Sequence, residues 1–193
     1  MRVVGGRLRG LRLAPVGEGD EAARLRPTSD RVREALFNLL VNGAGGDRVR
    51  GARALDLFAG TGALGIEALS RGAVHATFVE DGAAGRALIR RNLELARAQG
   101  VAELLRRDAT TLGGNKGSPF DLVLLDPPYG RGLGQRALAS GRAGGWIAPG
   151  AVVAWEEAAP MPAPEGFAPL DTRRYGATHL TLLEAVGGRP AAA

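Results

Sequence analysis

Two spacings of apolar residues alternate along the chain from residue 53 onward. Short, nearly continuous apolar runs predict buried strands, and segments with an apolar residue every three or four positions predict helices. The predicted strands cover residues 54–58, 74–80, 103–107, 120–125 and 151–155, followed by a closing hairpin over 170–175 and 178–184. The predicted helices cover residues 63–71, 83–99 and 133–143, with Leu88, Leu95 and Ala96 of the second facing the core. This alternation predicts an α/β fold with a mostly parallel, doubly wound sheet.

The first 50 residues follow other patterns. Apolar and basic residues alternate around glycines between residues 3 and 13, which predicts a small hairpin. The run from Pro27 to Asp30 is typical of a helix start, and an apolar face follows at Val32, Leu36, Leu39 and Leu40. We therefore expect one domain over residues 1–187. Its parts are a basic arm over 1–27, a leading helix over 28–42 and a Rossmann-like core over 53–185. A disordered tail over 187–193 is expected to follow the domain.

Composition excludes several classes of protein. The 193 residues are 45% hydrophobic, enough for one packed core. The chain has no cysteine and only two histidines, which argues against a disulfide framework and against a metal site. We find no secretory signal and no apolar run long enough to span a bilayer, so we expect a cytoplasmic protein. Nothing in the sequence requires more than a monomer.

Basic charge is concentrated near the N-terminus. The net charge is +5, and the first 33 residues contain eight arginines against four acidic residues. A basic arm predicts a partner that carries phosphates, such as a nucleic acid. An arginine-rich coding bias explains the composition equally well.

A glycine-rich turn follows the first predicted strand. Gly60, Gly62 and Gly65 match the G-x-G-x-x-G pattern that binds nucleotide cofactors, and Glu80 ends the next strand 20 residues after Gly60. An acid at that position can accept hydrogen bonds from both hydroxyls of a ribose, which NAD and S-adenosylmethionine share. Asp108, after the third strand, is a candidate acceptor for an adenine amino group, although aspartate is also common in turns.

The fourth predicted strand ends in Asp126-Pro127-Pro128-Tyr129. Two prolines stiffen the backbone and remove two N–H donors, so the carbonyls and the carboxylate of this corner can only accept hydrogen bonds. Such a corner suits the NH₂ group of a flat base. Acceptors on its two hydrogens localise the nitrogen lone pair for attack on a methyl sulfonium, and Tyr129 is placed to stack on a flipped base.

These motifs together resemble the class I methyltransferases that act on amino groups, and more closely the RsmD family. The finer similarity lies in residues 25–38, 60–73, 78–80 and 174–176, and extends from about residue 2 to residue 185. This family methylates the exocyclic N2 of a guanine in small-subunit (16S) ribosomal RNA. The resemblance implies a Rossmann-like, seven-stranded sheet with helices on both faces and an antiparallel last strand. It also implies S-adenosylmethionine as methyl donor, and ribosomal RNA or an assembling small ribosomal subunit as partner.

The resemblance also assigns residues to roles. The target base falls to residues 126–129. The residues that it implies bind the cofactor are Asp56, Phe58, Ala59, Gly60, Thr61, Gly62, Glu80, Asp108 and Ala109. The residues that it implies contact RNA are Arg7, Arg9, Arg12, Arg26, Thr28, Arg31 and Arg33. Independently of any resemblance, Arg31 and Arg33 cannot both lie on the apolar helix face, so at least one must face solvent or phosphate.

Three alternatives stay open. The four-residue corner also occurs in adenine-N6 methyltransferases acting on DNA or RNA. The glycine turn with Glu80 is compatible with an NAD-dependent oxidoreductase, although no Tyr-x-x-x-Lys motif accompanies it. The basic arm is compatible with a non-catalytic RNA-binding module.

Overall fold

A seven-stranded sheet forms the centre of the structure, a computed structural model that describes residues 1–16, 29–43 and 45–187. The strands are β1 (Arg53–Leu57), β2 (His75–Val79), β3 (Ala102–Leu105), β4 (Phe120–Leu125), β5 (Ile147–Glu157), β6 (Phe167–Tyr175) and β7 (Thr178–Ala185). Their order across the sheet is β3-β2-β1-β4-β5-β7-β6, and only β7 runs antiparallel to its neighbours. The predicted fold class and the antiparallel last strand are confirmed.

Four α-helices cover the sheet: α1 (Asp30–Asn42), α2 (Ala63–Ser70), α3 (Ala83–Leu95) and α4 (Leu133–Ala143). The first three pack on one face, where Phe37, Ile66 and Ile89 are fully buried. Helix α4 packs on the opposite face over Trp155. The sheet therefore has a separate hydrophobic core on each face. Each large apolar side chain buried in these cores stabilises the fold by about 2 kcal/mol.

The chain reverses direction across the sheet between β1 and β4. From β1 it winds outward to β2 and β3, and then returns to β4 on the other side of β1. In the register, Leu57 at the end of β1 pairs with Val79 of β2 and with Leu125 of β4. The segments that follow these three strands therefore meet at one edge, where ligands bind in such sheets.

Helix α4 lies unusually close to the sheet. A Cβ atom at Gly134 would fall 2.2 Å from Cζ2 of Trp155, so no other residue fits there without displacing the helix. This contact fixes the start of α4, which is only a few residues after the carboxyl end of β4.

Local pattern located most elements well. The ends of β4 and α4 are as predicted, whereas β5 is longer at both ends than the predicted segment. Helix α3 ends at Leu95, earlier than predicted, and the inward position given to Leu95 is wrong because this side chain is 36% exposed. The inward position of Ala96 is confirmed, and the buried face of the helix passes through Ile89 and Leu93.

The N-terminal segment forms the predicted hairpin in a minimal form. Arg2 and Arg12 make an antiparallel bridge, the Val3 amide donates to the Leu11 carbonyl, and a 3-10 turn lies at Gly6–Leu8. The RNA contacts predicted for Arg26 and Thr28, and the tail predicted to be disordered from residue 188 onward, fall outside the described residues. Among the described helices, none has the length and hydropathy needed to cross a membrane.

Candidate active site

The turn between β1 and α2 is tightly curled. Phe58, Gly60 and Gly62 all have positive φ angles, of 58°, 53° and 76°, and the Gly62 amide donates to the Ala59 carbonyl. A non-glycine residue such as Phe58 in the left-handed region costs about 1–2 kcal/mol. Backbone strain of this kind is typical of functional turns that the surrounding structure holds in place.

Asp56 supports this turn from beneath. Its side chain is buried, and Oδ2 accepts the Gly65 amide at 2.9 Å. Burial raises the pKa of Asp56 well above its usual value, and the charges of Asp126 and Glu80 add to this effect while the Gly65 hydrogen bond opposes it. Asp56 therefore positions the turn, and with 1% exposure it offers a ligand little surface. The direct cofactor contact implied for it stays a prediction.

Glu80 lies at the mouth of the same turn. Its Oε2 atom accepts the Gly60 amide at 2.8 Å, and its Oε1 atom accepts the Gly82 amide at 2.7 Å. Each carboxylate oxygen has a second lone pair, which leaves capacity for one hydroxyl on each oxygen. The two hydroxyls of a ribose can donate to these two acceptor oxygens. A Cβ at Gly85 would lie 3.0 Å from the Gly60 carbonyl, so glycine there allows α3 to approach the turn closely.

Asp108 follows β3 and caps a short 3-10 turn, Ala109–Thr111. Its Oδ1 atom accepts from both the amide and the hydroxyl of Thr110, each at 2.7 Å. The side chain therefore has the turn role that its position also predicts. A contact to an adenine amino group stays a prediction for Asp108 and the buried Ala109.

The corner after β4 is anchored to the end of β5. The Tyr129 hydroxyl donates to Oε1 of Glu156 at 2.8 Å, and the Gly130 amide donates to Oε1 of Glu157 at 3.2 Å. Burial and the charge of Glu156 raise the pKa of Tyr129, which keeps its hydroxyl protonated as a donor. Both bonds tie the residues that follow the proline pair to the end of β5.

Sequence reasoning missed these two glutamates. The predicted strand ends at residue 155, because two consecutive acids resemble the start of a loop. Both are nevertheless buried, with 5% and 7% exposure, at the end of β5. Their register beside the segment after β4 is the signal that could have found them, and it is visible only once the strands are paired.

The basic arm exposes Arg7, Arg9 and Arg12, and Arg31 is exposed at the start of α1. Assigning Arg33 to RNA is wrong because this side chain is fully buried. It donates to Asp30 at 2.7 Å and lies 3.6 Å from Oε2 of Glu67 on α2. Glu67, although distant in sequence, neutralises the Arg33 guanidinium, and this pairing allows a charged side chain on the inward face of α1.

In the part of the chain that the structure describes, no group of three or more histidine, cysteine, aspartate or glutamate side chains could hold a metal ion.

Comparison with known proteins agrees with this geometry. Residues 1–184 match the model of the family described as conserved hypothetical protein 95. Ribosomal RNA small subunit methyltransferase D of Escherichia coli K12 is 42% identical over 154 residues, which cover 79% of this chain and 72% of the relative. The chain belongs to the RsmD methyltransferase family. The Haemophilus influenzae member of that name is 34% identical over 181 residues, covering 91% of this chain and 89% of the relative.

Solved structures agree with this RsmD-family fold. The Escherichia coli protein yhhF superposes with a TM-score of 0.81 at 34% identity, covering 97% of this chain and 99% of that one. An RNA methyltransferase of Salinibacter ruber, solved with S-adenosyl-L-homocysteine, shares the fold with a TM-score of 0.66 at 16% identity, covering 86% and 98% of the two chains. Membership makes the chain a methyltransferase. The oxidoreductase and the non-catalytic RNA-binding module are therefore not retained.

Proposed function

We propose that this protein transfers a methyl group from S-adenosylmethionine to the exocyclic N2 amine of a guanine in small-subunit ribosomal RNA. The observation that carries the proposal is the pairing of Leu57 with Leu125, which sets the glycine turn and the Asp126–Tyr129 corner side by side. The names of the relatives support ribosomal RNA as the substrate.

The residues around the turn fit S-adenosylmethionine. The Glu80 carboxylate has acceptor capacity for the ribose hydroxyls, and the glycines leave room for close approach to the backbone. Asp108 and Ala109 lie at the end of the next strand, where the adenine would be held. When bound, this group supplies an electrophilic methyl on a positively charged sulfur.

The corner prepares the acceptor amine. The Asp126 carboxylate and the carbonyl of Pro127 can accept the two amine hydrogens, which turns the nitrogen lone pair away from the ring system and toward the turn. Transfer of the methyl would break its bond to sulfur and leave a neutral thioether. The methylated nitrogen would then carry a positive charge and an extra proton. Asp126 would stabilise this charge and can accept the proton. Tyr129, held by Glu156, offers an aromatic face to the base.

The exposed arginines of the arm supply the RNA contacts. Arg7, Arg9 and Arg12 project from one short hairpin whose core residues Val3 and Leu13 are buried. Contacts of this kind neutralise phosphates and orient the RNA without reading its sequence. The choice of nucleotide is left to the corner and to the shape of the RNA.

Replacement of Asp126 tests the chemistry. We expect Asp126→Ala to lower kcat by at least about a hundredfold, because general acid–base and charge-stabilising groups contribute on that order. Binding of S-adenosylhomocysteine should stay within about twofold of the wild type, since Asp126 lies outside the turn. Methyl transfer to small-subunit RNA and calorimetric titration measure the two quantities.

The matched control is Asp121→Ala, which removes an exposed aspartate at the other end of β4. It should leave kcat nearly unchanged. Mass spectrometry of the modified nucleosides separates N2-methylguanosine from N6-methyladenosine. Appearance of the adenine product alone would overturn the guanine assignment, and wild-type activity in Asp126→Ala would overturn the role of the corner.

A further inference from the structure

The N-terminal arm is docked on the helices that carry the cofactor turn. The Val4 amide donates to Oε2 of Glu67 at 2.8 Å, and Ser70 accepts from the Leu8 amide and donates to the Gly5 carbonyl. A Cβ at Gly6 would overlap the backbone of Ser70, so the arm lies directly against α2. Helix α2 begins at the glycine turn, and the two features are therefore parts of one packed unit.

Asn92 of α3 connects the end of the arm to the turn itself. Its side chain is fully buried. Its Oδ1 atom accepts the Ala14 amide at 2.7 Å, and its Nδ2 atom donates to the Thr61 carbonyl at 2.8 Å. One carboxamide thus bonds at once to a residue 78 positions earlier and to the residue between Gly60 and Gly62. Leaving either group unpaired in this buried position would be costly.

We propose that Asn92 is a positioning residue through which the docked arm holds the glycine turn in the conformation that binds S-adenosylmethionine. The turn is strained at Phe58 and has two further residues at positive φ, so it needs external support. The Ala14 amide orients the carboxamide, and the carboxamide fixes the Thr61 carbonyl. A turn fixed before binding loses less entropy on binding, which strengthens affinity.

This link rests on the proposed function, in which the turn binds the cofactor and the arm binds RNA. A ligand that stabilises the docked arm should therefore strengthen cofactor binding. Because linkage is reciprocal, bound cofactor should strengthen the binding of that ligand by the same factor. The arm therefore acts on the cofactor site as well as on the substrate.

Three variants separate this role from general packing. Asn92→Ala removes both bonds, and Ala14→Pro removes the amide donor of the arm while leaving the Asn92 side chain in place. Ser70→Ala removes the bonds of α2 to Gly5 and Leu8 but leaves the Ala14–Asn92–Thr61 chain in place, so it is the matched control. The readout is the affinity for S-adenosylhomocysteine without RNA, measured by calorimetric titration, with thermal unfolding as the check that each variant is folded.

We expect Asn92→Ala to bind about tenfold more weakly and Ala14→Pro about threefold more weakly, with Ser70→Ala close to the wild type. In Asn92→Ala, the KM for S-adenosylmethionine should rise while kcat at saturation stays within about twofold. Wild-type affinity in Ala14→Pro would overturn the link to the arm, and equal weakening in Ser70→Ala would overturn the specific role of Asn92. If Asn92→Ala does not fold, Ala14→Pro decides the question. A wild-type protein that fails to bind S-adenosylhomocysteine would instead overturn the proposed function.

Discussion

The arm and the catalytic corner are both fastened by buried glutamates, but in different electrostatic ways. Glu67 beneath the arm is paired with two guanidinium groups, those of Arg33 and Arg71. At the corner, Glu156 accepts the Tyr129 hydroxyl, and Glu157 accepts the amides of Gly130 and Ala158. The arm is thus held by compensated charge beneath a basic surface, which suits a polyanionic partner. The bonds at the corner come from neutral donors and add no positive charge, which suits the proposed mechanism, in which an amine bound there would become cationic.

The largest expected effect is a loss of stability when Glu67, which holds the arm through the Val4 amide and pairs with Arg33, is replaced. We expect Glu67→Leu to lower the free energy of unfolding by about 3 kcal/mol, because a fully buried Arg33 then loses its acidic partner on α2. Denaturant unfolding measures the change. Glu94→Leu, which breaks the exposed pair with Arg91, is the control and should have little effect because surface pairs contribute little. Comparable stability of both variants would show that the Glu67 anchor is not needed.

The next effect concerns the exposed side of the arm. Joint replacement of Arg7, Arg9 and Arg12 by alanine should weaken RNA binding about thirtyfold. The slope of log affinity against log salt concentration should become shallower, by the amount that corresponds to about two to three lost phosphate contacts. The control replaces Arg90, Arg91 and Arg97, which removes the same charge from the exposed side of α3 and the residues after it. Titrations at two stated salt concentrations distinguish the sets. Equal losses for both triples would mean that net charge, rather than the arm, governs binding.

The smallest effect sharpens the comparison at the corner. Glu156→Gln keeps an oxygen acceptor for Tyr129 but removes the negative charge, so the pKa of Tyr129 should fall while staying above its usual value because burial persists. Absorbance of the ionised phenol during alkaline titration measures this change. The chain has only two tyrosines, so a Tyr175→Phe background isolates the signal. An unchanged titration would mean that the charge of Glu156 does not act on the hydroxyl.

The sequence predicted the elements whose signals are local. Helix α4 and strand β4 have clear apolar patterns with turn residues beside them, and the glycine turn and the proline pair carry their own backbone preferences. These features specified the fold class and brought the correct segments to one edge of the sheet.

The remaining features depend on partners distant along the chain. Arg33 resembles a surface residue until Glu67 is placed beside it, and the support that Asp56 gives the turn is visible only once Gly65 is seen above it. Asn92 was overlooked because a polar residue near Ile89 on the inward helix face is informative only once Ala14 and Thr61 are known to meet there. Buried polar groups in this protein report long-range contacts that neither apolar spacing nor motif reveals.

The close contact of Gly134 with Trp155 has a consequence for how the substrate must behave. The loop from Asp126 to the start of α4 is a short span between two immobile supports, the central strand β4 and a helix seated directly on an indole ring. The loop is therefore held at both ends, which limits how far it can move toward a nucleotide in its stack. In the proposed function the RNA then bears the distortion, with its target base unstacked and inserted, so we expect the fastest substrates to be those in which that nucleotide is already exposed.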